Sequence, residues 1–245
     1  MPARILLTAA PRFSCQETLP AVLEHHPGDL YVFPEGFLRS REDLALALRL
    51  TENRSGTVLA GYRDQDREKA LVIEGGKVAD ESAKCILTQG ERAKGKRPGS
   101  QIRCLNSSLG KLAVPICYEL HFPEVCRIMA LEAPVLMVNP IGTGMYHRRQ
   151  YGQWTALARA RAIENEVPVV GCCHFCGEIP LAFAFDSQGE TVLQEEGACG
   201  TFEVELDLSG KRPIGYLRDR RPELFEALIA GGESTGEKEK IWYHS

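Results

Sequence analysis

The feature that most constrains this chain is the regular alternation of short apolar runs with stretches of helical spacing. Strand-like runs fall at about 3–8, 30–33, 57–62, 70–73, 101–104, 112–116, 134–139, 167–173, 181–185 and 200–206. Helical periodicity is best at about 17–26, 41–52, 123–132 and 150–165; in the last, Trp154, Leu157, Ala158, Arg161 and Ala162 share one side. Turn punctuation at Glu74-Gly75-Gly76, Ser107 to Gly110 and Ser187-Gln188-Gly189 supplies hairpins between neighbouring strands. Mixed strands and helices of these lengths predict an α/β fold whose sheets carry helices on their outer faces.

Within that frame one cysteine stands out. Leu112 to Ile116 reads as a buried strand, and Cys117 follows it directly, with Pro123 suited to a first helical turn. A thiol at such a junction lies near backbone N–H groups and the positive end of a helix, conditions expected to favour a thiolate and to stabilise an oxyanion. Taken alone, a free cysteine is more often a small buried hydrophobe. Two other segments change the balance. The strand Leu30 to Phe33 ends in Pro34 and delivers Glu35 to the end of a sheet, where α/β sheets place their sites. Lys84 stands beside the apolar pair Ile86 and Leu87, with Glu91 shortly after. A carboxylate to take the thiol proton, and an ammonium to stabilise thiolate and oxyanion, complete a covalent catalyst.

These segments resemble the nitrilase, or carbon–nitrogen hydrolase, superfamily. Its three signatures read here as Phe33-Pro34-Glu35, Lys84-Cys85-Ile86-Leu87 and Cys117-Tyr118-Glu119, in the family's order. Phe122-Pro123-Glu124, the stretch from Gln153 and Trp154 through Asn165, and Arg221-Pro222-Glu223-Leu224 match further family motifs. The resemblance implies a four-layer αββα sandwich over residues 1–228, with 229–245 as a C-terminal tail. It implies Glu35 as general base, Lys84 as oxyanion-stabilising cation and Cys117 as nucleophile. Glu91 would position the substrate, and the Tyr118 N–H would join Lys84 in the oxyanion hole. The implied reaction is hydrolysis of a non-peptide C–N bond through a thioester, in a small amide rather than a nitrile or carbamoyl compound. No cofactor or metal is implied, and a homodimer or higher homo-oligomer is. The absence of a fused domain argues against a glutamine-dependent synthetase or a membrane-bound acyltransferase.

The chain also departs from the family pattern. Gly171 to Gly177 places His174 where many members have asparagine, and His121 stands where arginine is common. A cysteine acyltransferase or protease pairing Cys117 with His121 or His174 therefore stays open, as does a non-catalytic binding or regulatory protein.

Composition agrees with a soluble enzyme. The net charge of −4 attracts neither nucleic acid nor an anionic membrane. No run nears the roughly 18 apolar residues a membrane-crossing helix needs, and the N-terminal segment reads as a strand, so a cytoplasmic protein is expected. Nine cysteines without a secretion signal do not make a disulfide framework. Cys172, Cys173, His174 and Cys176 cluster in sequence, yet strand alternation sends neighbours to opposite faces and disfavours a shared metal. The basic run from Arg92 to Arg97 reads either as a solvated loop or as an attractor for a substrate carboxylate. Ile241 to Ser245, after a charged stretch, reads equally as a dock for a neighbouring subunit or as a loose end.

Overall fold

The computed structural model describes residues 2–210 and 214–228. The tail at 229–245 lies outside them. Elements run in the order β1 (Ala3–Pro11), α1 (Cys15–His25), β2 (Leu30–Val32), α2 (Arg41–Thr51), β3 (Thr57–Asp64), β4 (Arg67–Glu74), β5 (Lys77–Ala83) and α3 (Gln89–Ala93). The second half holds β6 (Leu105–Ser107), β7 (Gly110–Ala113), a 3-10 turn (Cys117–His121), α4 (Pro123–Ala130), β8 (Leu136–Ile141) and α5 (Arg148–Asn165). It continues through β9 (Val169–Phe175), β10 (Leu181–Phe185), β11 (Thr191–Glu196) and β12 (Gly200–Leu206).

Hydrogen bonding arranges the strands as two facing halves. One half runs β12-β1-β2-β3-β4-β5, the other β11-β10-β9-β8-β7-β6, and a two-residue parallel step joins them where Ala10 meets His174 and Pro11 meets Phe175. Period-2 alternation sorts the side chains. In β1 and β2, Ile5, Leu7, Leu30 and Val32 enter the core between the sheets, whereas Leu6, Tyr31 and the next residue after β2, Phe33, pack outward with Leu19, Leu23 and Ala47 of α1 and α2. On the far side Trp154, Ala158 and Ala162 of α5, with Val125 and Met129 of α4, belong to the core that includes β8 and β9. The layers are therefore helix, sheet, sheet, helix: the expected αββα sandwich, with its sheets nearly closed on each other.

The far edges of the two halves are joined by charge rather than by a ladder. Asp80 of β5 accepts two bonds from the Arg103 guanidinium, at 2.7 and 3.1 Å, and two more from the backbone and side-chain amides of Asn106 in β6.

The elements differ from the sequence reading at solvent-facing edges. β5 and β11 were not expected, because Lys77 to Ala83 and Thr191 to Glu196 are mostly exposed and carry no apolar alternation. Each is brought into register by its hairpin turn, pairing with β4 and β10. The strand expected at 101–104 forms instead at 105–107. The one expected at 112–116 ends at Ala113, since Pro115 has no N–H for a ladder. No described helix is long and apolar enough to cross a membrane.

Asp80→Ala is expected to cost about 2–3 kcal/mol, because a charged, multiply bonded acceptor is lost. The Arg103 and Asn106 bonds outweigh the cost of burial and hold the Asp80 carboxyl down at about 2, against 3.8 ordinarily. A carboxylate with a depressed pKa stabilises the fold above its unfolded pKa and loses that contribution as pH falls through the folded one. Urea unfolding should thus show the gap between wild type and variant at pH 7 closing between about pH 4 and pH 2.

Candidate active site

Three chain segments converge at one end of the sheets. Glu35 follows β2 by way of Phe33 and Pro34, Lys84 follows β5 directly, and Cys117 opens the 3-10 turn after β7. All three are buried, with 7%, 1% and 7% of their surface exposed. The Lys84 Nζ donates to Glu35 Oε1 at 2.9 Å and to Glu91 Oε1 at 2.7 Å. The Glu35 carboxylate and the Gly142 backbone N–H both act on the Cys117 thiol, the first raising and the second lowering its pKa.

Local sequence explains each placement. The carboxylate of Glu35 is flanked by two glycines that leave room for it. A Cβ on Gly61 would stand 2.4 Å from the Glu35 Cα, and a Cβ on Gly142 only 2.2 Å from Glu35 Oε2. Lys84 is held at its backbone by Glu68 and Gly99, at 2.8 and 2.7 Å. Glu91 lies in the short helix α3, where it forms a capping box with Thr88. Cys117 adopts φ +50°, a left-handed conformation rare for a residue with a side chain, which costs of order 1–3 kcal/mol. Asn139 of β8 offsets that strain: its amide donates to the carbonyls of Pro115 and Cys117 at 2.7 and 3.1 Å, and its oxygen accepts from Trp154 Nε1 at 2.9 Å. Arg161 of α5 caps the same turn by donating to the carbonyls of Leu120 and His121.

The electrostatics qualify one expectation. Burial, reinforced by the neighbouring Glu35 charge, pushes the Cys117 thiol up, and the Lys84 charge and the Gly142 N–H do not overcome it. The resting sulfur is a thiol rather than the thiolate expected from the helix terminus, because desolvation outweighs the backbone dipoles. Burial likewise raises Glu35, against the opposing charge of Lys84. For Lys84, burial is outweighed by the surrounding negative charge, that of Cys117 when it ionises and those of Glu35 and Glu91, which raises the ammonium above its ordinary value. Glu91 falls below the ordinary carboxylate range: burial raises it, but Lys84 and Thr88 outweigh that effect. Both Glu91 oxygens are engaged, one by Lys84 and one by Thr88.

Tyr118 is the second residue of the turn, where first-turn N–H groups lack intrahelical partners. Its ring packs edge-on against Phe122, and His121 turns away to pack on Trp154 at 4.4 Å and to bond the Tyr118 carbonyl. His174 stacks on Phe37 and bonds the Ala10 carbonyl. Burial pushes it down to about 4, aided by the charges of Arg39 and Arg12. The cysteine-rich stretch does not converge. Cys172 bonds Val32 across the sheets, the Cys173 sulfur accepts from the Leu181 amide, and Cys176 is exposed. Among the described residues no cluster of metal-ligating side chains occurs. The basic run is largely tied down, with Arg92 on the Leu87 carbonyl, Lys96 on Glu68 and Arg97 on Asp66.

Sequence reasoning missed Asn139, Gly142 and Arg161 as site residues. Asn139 offered one signal, a polar side chain within the apolar run from Leu136 to Ile141.

The chain belongs to the carbon-nitrogen hydrolase family, whose model matches residues 40–209 and so includes Lys84, Glu91 and Cys117. It is 28% identical over 193 residues to a probable nitrilase of Schizosaccharomyces pombe, covering 71% of this chain and 69% of that protein. It is 31% identical over 150 residues to an omega-amidase of Saccharomyces cerevisiae, covering 54% of this chain and 48% of that one. In fold it is similar to the crystal structure of a carbon-nitrogen hydrolase from Helicobacter pylori G27, with TM-score 0.80 and 21% identity over 94% of this chain and 99% of that one.

Gly142→Ala is expected to displace the Glu35 carboxylate and slow iodoacetamide labelling of Cys117 by about tenfold or more, since ångström-scale misplacement is costly at such sites. Peptide mapping by mass spectrometry reads the rate at Cys117 alone, and a melting curve checks that the variant is folded.

Proposed function

We propose that the protein hydrolyses a small amide through a thioester on Cys117. The observation that carries this reading is the single Lys84 ammonium held between Glu35 and Glu91, with the buried Cys117 thiol under the charge of the same Glu35. That arrangement suits a base that takes a proton from a neutral thiol at the moment of attack. Cys117 Sγ bonds to the amide carbon, the thiol proton passes to Glu35, and the carbonyl oxygen becomes an oxyanion. Lys84 and the Tyr118 N–H stabilise it, a preorganised donor being worth about 3–4 kcal/mol. The C–N bond then breaks as Glu35 returns the proton to the leaving amine. In the second half a water gives its proton to Glu35 and attacks the thioester carbon. The C–S bond breaks, and the sulfur recovers the proton as the acid leaves. Glu91 acts through Lys84, holding the ammonium in place. Similarity to an omega-amidase favours an amide; similarity to a probable nitrilase makes a nitrile the second substrate to test.

The test is ammonia release from a panel of ω-amides, N-carbamoyl compounds and nitriles, with wild type beside Cys117→Ala and Lys84→Met. Turnover of an amide by wild type, with a loss of about 10³-fold or more in both variants, is the expected result. Activity surviving in Cys117→Ala would remove the thioester. Because burial raises Glu35 and the ionised form is the base, the acid limb of kcat/KM should fall at a pH above 4.5.

A further inference from the structure

Glu119 lies outside the reacting set, and its placement is unusual for a carboxylate. It is 98% buried, at 2% exposure, in the middle of the 3-10 turn. Both of its oxygens are filled by backbone amides from two separate segments. Oε1 accepts from Cys85 at 2.7 Å and Ile86 at 3.1 Å, the two residues after Lys84. Oε2 accepts from Ile116 at 2.8 Å, the residue before Cys117. No ladder joins these segments: Lys84 leaves β5 in one half, and Cys117 leaves β7 in the other.

The geometry points to Glu119 as the positioning residue that sets the distance between Lys84 and Cys117. Burial raises the Glu119 carboxyl, the three backbone bonds oppose that effect without overcoming it, and they span the gap between the two catalytic segments. The sequence places the tie economically, two residues after the nucleophile, so the turn that carries Cys117 also carries the clamp. Its role needs two acceptor ends at full reach. Glutamine retains the reach but has one acceptor oxygen, so it holds either the Lys84 segment or the Cys117 segment. Aspartate retains both acceptors but is one methylene shorter, so it cannot reach both. This role rests on the reading of Lys84 and Cys117 as the catalytic pair.

The test uses iodoacetamide labelling of Cys117 across a pH series, read by peptide mapping, which requires no substrate. Glu119→Gln and Glu119→Asp are each compared with wild type and with Asp80→Ala, which loosens the β5 edge without removing any Glu119 bond. Expected is a labelling rate at Cys117 lowered about tenfold or more in both Glu119 variants, with a shifted pH profile, and a rate near wild type in Asp80→Ala. On the best substrate of the ammonia panel, kcat should fall more than KM rises. A folded Glu119→Gln or Glu119→Asp that labels within twofold of wild type, or no more slowly than Asp80→Ala, would overturn the inference. Failure of both Glu119 variants to fold would make the residue a folding determinant and overturn it as well. Absence of ammonia release with slowed labelling would count against the amide reading while leaving the positioning role intact.

Discussion

The buried ammonium of Lys84 is the interaction on which the site depends. An amine with 1% exposure cannot keep its charge without close anions, and here two carboxylates stand within 2.9 Å of it. Removing one partner from such a pair leaves an uncompensated charge, at a cost of about 3–5 kcal/mol. The pairing therefore ties β2, β5 and α3 into one unit. It also makes chemistry and stability partly the same problem. The same Glu35 carboxylate is counter-ion to Lys84 and, in the proposed reaction, would also take the proton of Cys117.

Strain at Cys117 follows from the same economy of space. Cys117, the proposed nucleophile, is a left-handed residue that opens the 3-10 turn after β7, with Glu35 and the Gly142 amide as neighbours of its sulfur. Asn139 and Arg161 bind the carbonyls of that turn from β8 and α5. The long helix α5 thus contributes to the site although none of its side chains belongs to the reacting set. Its tryptophan and arginine are the residues that made it stand out as a motif, and the structure shows why those types are needed. Trp154 saturates Asn139, and Arg161 reaches two carbonyls at once.

The histidines separate what a substitution in a motif means from what it does. His174 stands on β9, and its neighbours are Phe37 and the Ala10 carbonyl at the join between the sheets. His121 packs on Trp154. The groups that act on the Cys117 thiol are Glu35, Lys84 and the Gly142 amide. Short sequence distance from Cys117 to His121 does not translate into partnership, because the 3-10 turn directs the ring toward α5.

The sequence by itself determined an α/β fold with helices on the outer faces of its sheets, the interior strands and the three segments that bear Glu35, Lys84 and Cys117, while the four-layer αββα arrangement came from the family resemblance. It could do so because buried strands of Leu, Val and Ile and a strand-end carboxylate, lysine or thiol are local patterns. It also determined the length of α5, whose small and aromatic residues recur at helical spacing. Edge strands β5 and β11 were not legible, since their pairing comes from a hairpin partner and not from their own polar residues. The protonated state of Cys117, the double engagement of Glu91, the support from Asn139 and the bridge through Glu119 were decided only by the tertiary structure. Each depends on desolvation or on hydrogen bonds between segments far apart in the chain, and both quantities exist only once the two sheets have closed on each other.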